Sequence, residues 1–169
     1  METRTVLPPP VEAAHIPNGQ VFLAFEPDRT LTCLKVDGGL DLPDLALILH
    51  VSRPMRTGEE DETFHLVEMR LLAQCFARLA GILSIETVGD VRRLSLATGP
   101  ARGTMIVDAD STTIVAQRNG RLERCGFDGQ LRHGPFRGLQ YNDWCLALIS
   151  VNGPGEREKI EIARGFGVT

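Results

Sequence analysis

Hydrophobic positions change their period along this chain, and each period predicts a different element. In QVFLAFEPDRTLTCLKVDGG, short apolar-rich runs flank a polar turn. They predict two strands, at about 20–26 and 30–36, around Pro27 and Asp28, closed by Gly38 and Gly39. Leu45 to Val51 is almost continuously apolar, which fits a buried strand or a short buried helix. The next stretch changes to spacings of three and four. Phe64, Val67, Leu71, Leu72, Cys75, Phe76, Leu79 and Leu83 form one stripe, with Glu68, Arg70, Gln74 and Arg78 turned away from it. That spacing predicts one long helix over about 61–80. Acidic residues 59–62 would suit its N-terminal dipole, Thr57 or Asp61 its cap, and Gly81 its stop.

Beyond the stripe the pattern reads as strands. VRRLSLA alternates, and GTMIV and TTIVAQ flank the polar tip DADS. Asn119-Gly120 predicts a hairpin that turns IVAQR into RLERCGF, because both residues tolerate positive φ. GFDGQLRHGPFRGLQYND is glycine-rich and reads as a loop. WCLALISV and EKIEIARGF read as a C-terminal hairpin around residues 152–155. Residues 1–19 hold four prolines and no period, which predicts a flexible proline-rich arm.

The bulk numbers narrow the class. A chain of 169 residues is long enough for one domain with a real core. Lys and Arg total 18 against 22 acidic residues, which argues against a dedicated nucleic-acid coat. No apolar run approaches the roughly 20 residues of a membrane span. The N-terminus lacks an apolar signal core, so a cytoplasmic location is expected. Cys33, Cys75, Cys125 and Cys145 are scattered with no C-x-x-C, so no zinc site is expected. Cys75 falls on the apolar stripe, where it reads as a small buried hydrophobe.

Several stretches carry candidate chemistry. VDADST resembles, locally, the nucleophile loop of the haloacid dehalogenase superfamily, in which the first Asp attacks phosphorus beside Mg²⁺. The sequence after it, TTIVAQRNG, reads as a strand and a turn where that family has a helix, so a hairpin is expected. His65 and Glu68 give a single H-x-x-E, whereas a carboxylate-bridged metal centre needs the pair twice. His50 is read as a hydrogen-bonded buried histidine. Cys125, Asp128 and His133 could form a nucleophile and base, but nothing in the sequence positions them. No phosphate loop is present among Gly153, Gly155, Gly165 and Gly167. We therefore expect no catalytic residues, metal or cofactor.

The densest interaction signal is Arg118, Arg121, Arg124, Arg132 and Arg137, interleaved with Phe127, Phe136, Tyr141 and Trp144. Arginine with aromatics marks protein interfaces and single-stranded nucleic-acid surfaces. These nine residues are the expected partner-binding set, with an acidic protein as the favoured partner over an anionic ligand or nucleic acid.

Two stretches, QVFLAFEPDRTLTCLKV and the 61–80 helix followed by VRRLSLATGPARGTMIVDADSTTIVAQ, resemble the roadblock/dynein light chain family over about residues 19–117. That resemblance implies a five-stranded sheet, homodimerisation and a non-enzymatic adaptor role, with no catalytic residues to carry over. LDLPDLALILHVSRPMRTG is longer than the family's connection, its first helix has no counterpart here, and the last fifty residues are extra.

The expected architecture is thus α+β. A mainly antiparallel sheet carries one long helix on a face, with a core over 20–117 and a C-terminal β extension over 118–169. The expected function is a non-enzymatic, oligomeric interaction or adaptor module. The alternatives are a viral or particle structural subunit, and a small-molecule or nucleotide-binding domain or hotdog-like enzyme. The last would use Glu62 and His65 at the helix start.

Overall fold

A computed structural model describes residues 10–40, 43–53, 57–58, 61–72, 76–87, 92–93, 100–152 and 156–165. The first hairpin forms as the sequence predicts. β1 (Val21–Phe25) pairs antiparallel with β2 (Thr30–Val36), with Val21 opposite Leu34 and Phe25 opposite Thr30. The turn is held by the Glu26 N–H, which donates to the Arg29 carbonyl at 2.9 Å. β3 (Leu45–Val51) pairs with β2, so the continuously apolar run is a strand. It is apolar on both faces because both faces are covered.

The helix expected over 61–80 does not form, and the α+β class is replaced by a nearly all-β one. No helix of seven or more residues occurs among the described residues. Instead β4 (Leu66–Glu68) pairs with β3, a 3₁₀ turn spans Met69–Leu71, and β5 (Phe76–Arg78) pairs with β1. The physical reason lies in where the stripe's apolar residues go. Phe64, Leu79 and Leu83 belong to or pack on one core, whereas Val67, Leu72 and Phe76 belong to or pack on a second core on the other side of the first sheet. A helix would have gathered all six into one stripe.

Phe64 itself has φ 64°, outside helical geometry, and is fully buried. Its N–H donates to the Ile48 carbonyl at 2.7 Å, and its carbonyl accepts the Gln117 N–H at 3.0 Å. Strand edges elsewhere in the chain therefore take the backbone bonds that a helix would have made internally. Tertiary pairing overrides local propensity here. Leu71, which the helical stripe would bury, is 72% exposed. Asp61, the expected cap, does accept a backbone N–H, that of Thr63 at 2.9 Å, but within a turn. Cys75 and Gln74 lie outside the described residues.

The second half supplies β6 (Ile82–Thr87), β7 (Arg92–Arg93), β8 (Met105–Val107), β9 (Thr112–Arg118), β10 (Arg121–Gly126), β11 (Leu131–Arg132), β12 (Leu139–Tyr141), β13 (Trp144–Asn152) and β14 (Glu156–Arg164). Three antiparallel sheets result, ordered β4-β3-β2-β1-β5, β11-β10-β9-β8-β12-β7 and β14-β13-β6. The Asn119-Gly120 hairpin is present, with φ of 50° and 77° at its two central residues. DADS turns β8 into β9, with Val107 opposite Thr112. The glycine-rich stretch expected to be a loop contributes β11 and β12. Of VRRLSLA, Arg92 and Arg93 form β7, and residues 94–99 lie outside the described set. The C-terminal hairpin is present, its ladder shifted by one residue between Leu146 and Ala147.

One core lies between the three sheets. Leu34 and Leu47 from the first sheet, Met105 and Ile114 from the second, and Trp144, Leu146 and Ile162 from the third meet there. The C-terminal strands are thus part of the main core. The second core lies on the outer face of the first sheet, where Phe22, Leu31, Cys33 and Ile48 are covered by Ile16, Met69 and Phe76. Each fully buried side chain of this size contributes roughly 1.5–3 kcal/mol. Residues 10–19 help make that cover. Val11 bridges to Phe76, and Ile16 is 2% exposed. The first nine residues lie outside the described set. Among the described residues no helix is long and apolar enough to cross a membrane.

Candidate interaction surface

The expected partner-binding residues come from the β9–β10 hairpin and the chain that follows it, and the fold divides them into three groups. Trp144, Phe127 and Tyr141 turn inward. Trp144 is fully buried, and its Nε1–H donates to the Gly103 carbonyl at 2.8 Å. Its ring lies 5.5 Å from that of Phe64 and 6.4 Å from that of Phe127. Tyr141 packs on the same core from a half-buried position. These aromatics are core residues.

The second group is held by internal carboxylates. Arg124 is 7% exposed, and its guanidinium is bonded on every side. Nη2 donates to Asp108 Oδ2 at 2.7 Å, Nε to Thr113 Oγ1 at 3.2 Å, and Nη1 to the Pro135 carbonyl at 3.1 Å. Asp108 is in turn fixed by the backbone N–H groups of Asp110 and Ser111, at 2.9 and 2.8 Å. The Arg124 hydrogen bond, followed by these amides, holds the Asp108 carboxyl at about 2. The motif that resembled a phosphoryl-transfer loop is therefore a turn whose first aspartate is committed to a buried arginine. Arg118 pairs with Glu123 at 3.0 Å and Arg132 with Asp128 at 2.6 Å.

The third group faces solvent. Arg121, at the hairpin tip, and Arg137 are exposed and form no ion pair with a described residue. Beside them is a small hollow of about 130 Å³, lined by Leu122, Glu123, Arg124, Arg132, His133 and Phe136. Leu122 is 39% exposed at its rim. The surface that remains is a small hollow of mixed polar and apolar lining, with the exposed Arg121 and Arg137 adjoining its residues Leu122 and Phe136 in the chain.

The other candidates resolve on geometry. Cys125 is fully buried, and burial pushes its thiol up to about 12, so it is not a nucleophile at neutral pH. Asp128, its proposed partner, is spent on Arg132 and on the Gln130 N–H. His50 is exposed at the end of β3, not buried. His65 sits next to β4 and Glu68 on it, and the two do not pair with each other: Glu68 pairs with Arg70. His65 lies 2.9 Å from Arg102 Nη1, which also donates to the Asp61 carbonyl. Glu62 receives Arg29, which also binds Glu26 at 2.5 Å. No group of three metal-ligating side chains occurs among the described residues.

Sequence reasoning missed the wider groove of about 570 Å³ beside the second core, where Pro43, Met69, Leu72 and Phe76 meet Asp44 and Arg70. Its walls come partly from the segment read as one helix and partly from residues 12–13 and 43–44, so no local pattern could have revealed it. No family model matches this chain, and neither does any curated protein or solved structure.

Proposed function

We propose that this chain is a non-enzymatic protein-interaction module of the cytoplasm that self-associates and takes an acidic partner on the 121–137 face. The observation that supports this reading is the hollow beside β10. Arg121 and Arg137 present uncompensated positive charge next to the exposed Leu122 and half-buried Phe136, which is the mixture that protein interfaces favour. The buried pairing of Arg124 with Asp108, and that of Arg118 with Glu123, gives part of the face a fixed shape, so less side-chain ordering is needed on binding.

The test is fluorescence anisotropy with a labelled acidic peptide, a glutamate hexamer carrying one central tryptophan. The wild-type chain should bind it with an affinity that falls as salt rises. Arg121→Ser with Arg137→Ser should weaken binding and flatten the salt dependence, with the melting temperature unchanged. No binding by the wild type, or equal binding by the double variant, overturns the assignment.

A second reading, a structural subunit of a particle, is favoured by the paired nine-residue strands β13 and β14, whose outer edge carries no further strand among the described residues. The hotdog-like enzyme required a helix beginning near Glu62 and His65, and those residues lie in a turn and a bridge instead.

A further inference from the structure

The self-association in the reading above needs a surface, and the edge of β14 has the features of one. β14 ends the third sheet, with no strand on its outer side among the described residues. An open edge of this length is a template for another strand. Natural edges are protected by charge, and β14 is charged, but in an order that is complementary to itself.

The sequence from Arg157 to Glu161 reads Arg, Glu, Lys, Ile, Glu. Two copies can run antiparallel with a two-fold axis at Ile160. Lys159 of each copy then lies opposite Glu161 of the other, twice by symmetry, and Ile160 lies opposite Ile160. Moving the axis to Lys159 sets Lys159 against Lys159. Moving it to Glu158 sets Glu158 against Glu158. Only the Ile160 register both joins opposite charges and covers the apolar residue.

Ile160 needs that cover. It lies opposite Leu148, which is 6% exposed and in the core, yet Ile160 itself is 47% exposed. The ladder irregularity at Leu146/Ala147 places Ile162 as an extra residue on β14, which bends the strand and confines regular pairing to its N-terminal part. The present partners of the two charges do not oppose the change. Lys159 pairs with Glu86, and Glu161 with Arg164 at 2.9 Å, all at positions about half exposed. Such pairs are weak and exchange readily.

The other edge of that sheet, β6, which has no outer strand among the described residues, also carries an exposed isoleucine, Ile82 at 70%. Its only charge is Glu86, so it has no opposite charge to offer a copy of itself.

We infer that β14 joins β14 of a second copy of this chain in an isologous dimer with its two-fold axis at Ile160, forming a continuous six-stranded sheet. This inference rests on the self-association half of the proposed function and is independent of the acidic-partner half.

The experiment is sedimentation velocity across a concentration series, with native mass spectrometry, on the full chain and two charge reversals. The wild type should dimerise with rising concentration. Lys159→Glu sets glutamates opposite each other and Glu161→Lys sets lysines opposite each other, so each alone should weaken the dimer by roughly tenfold or more. An equimolar mixture of the two variants restores both opposite-charge pairs and should yield a heterodimer as strong as the wild-type dimer. Ile82→Lys on the other edge should leave the dimer intact. Circular dichroism checks that each variant is folded. A wild type that stays monomeric at every concentration reached, a mixture that fails to recover the dimer, or loss of the dimer in Ile82→Lys overturns the proposal. Both reversals should still bind the acidic peptide, so failure of the edge and failure of the 121–137 face are separately visible.

Discussion

Arg124 and Asp108, 16 residues apart in sequence, meet at 2.7 Å and tie the β9–β10 hairpin to the β8–β9 turn. The guanidinium is buried, so this contact is closer to an internal pair than to a surface one. Breaking a buried pair from one side leaves its partner groups unsatisfied. Arg124→Ala should therefore cost on the order of 3 kcal/mol, measured by urea denaturation. A loss within the scatter of exposed-arginine variants would show that the pair is not structural.

The same pair gives a pH dependence. Asp108 is lowered from 3.8 to about 2, chiefly by Arg124. As pH falls, the unfolded chain takes up this proton before the folded one does. The contribution is complete above about pH 4 and is lost as pH falls through about 2. Asp108→Asn should lower the melting temperature at pH 7 and flatten its decline between pH 4 and 2. Parallel wild-type and variant curves over that window would assign the acid sensitivity elsewhere.

Two glycines of similar backbone angle should respond very differently to alanine. Gly120 has φ 77° and open space where a Cβ would stand, so Gly120→Ala pays only for conformation, about 1 kcal/mol. Gly129 has φ 81°, but a Cβ there would lie 2.3 Å from the Gly19 nitrogen and 2.5 Å from the Lys35 carbonyl oxygen. Those atoms are backbone and cannot rotate away. Gly129→Ala should lower the melting temperature several times further than Gly120→Ala, and equal losses would contradict the close approach of the Gly19 and Gly129 turns.

Trp144 is the only tryptophan, so its fluorescence reports on the main core. The folded emission should be blue-shifted and move red on unfolding. Trp144→Phe leaves the Gly103 carbonyl without its donor and should cost roughly 1–3 kcal/mol. Trp144→Ala also opens a cavity between Phe64 and Phe127 and should cost roughly 3–5 kcal/mol. A solvent-exposed emission maximum in the folded protein would be incompatible with this packing.

Burial raises the Cys33 and Cys125 thiols well above the ordinary range, Cys125 to about 12. Iodoacetamide at mild alkaline pH should leave the peptides containing these two residues unlabelled in native buffer and label them in urea. Native-state labelling of Cys125 at the unfolded rate would reopen it as a reactive residue.

The sequence by itself determined the elements whose pattern is local. The β1–β2 hairpin, the DADS turn and the Asn119-Gly120 hairpin each join strands adjacent in the chain through a short turn of suitable residues, and β13 and β14 are likewise adjacent in the chain. Their pairing needs no information from elsewhere. It also marked the arginine and aromatic positions, but not their fates. Only tertiary structure decided that Trp144 and Phe127 complete a core, that Asp108 claims Arg124, and that Arg121 and Arg137 keep solvent-facing charge.

The 61–80 segment separates the two kinds of information most clearly. Its three-and-four spacing fits a helix when one face is buried, but here apolar material flanks it on two sides. Phe64 and Leu79 are drawn to one face of the first sheet, and Val67, Leu72 and Phe76 to the other. β3 and β1 offer it the backbone partners that a helix would otherwise have supplied. A period read along the chain counts how often apolar residues recur. It does not register how many surfaces are waiting to receive them.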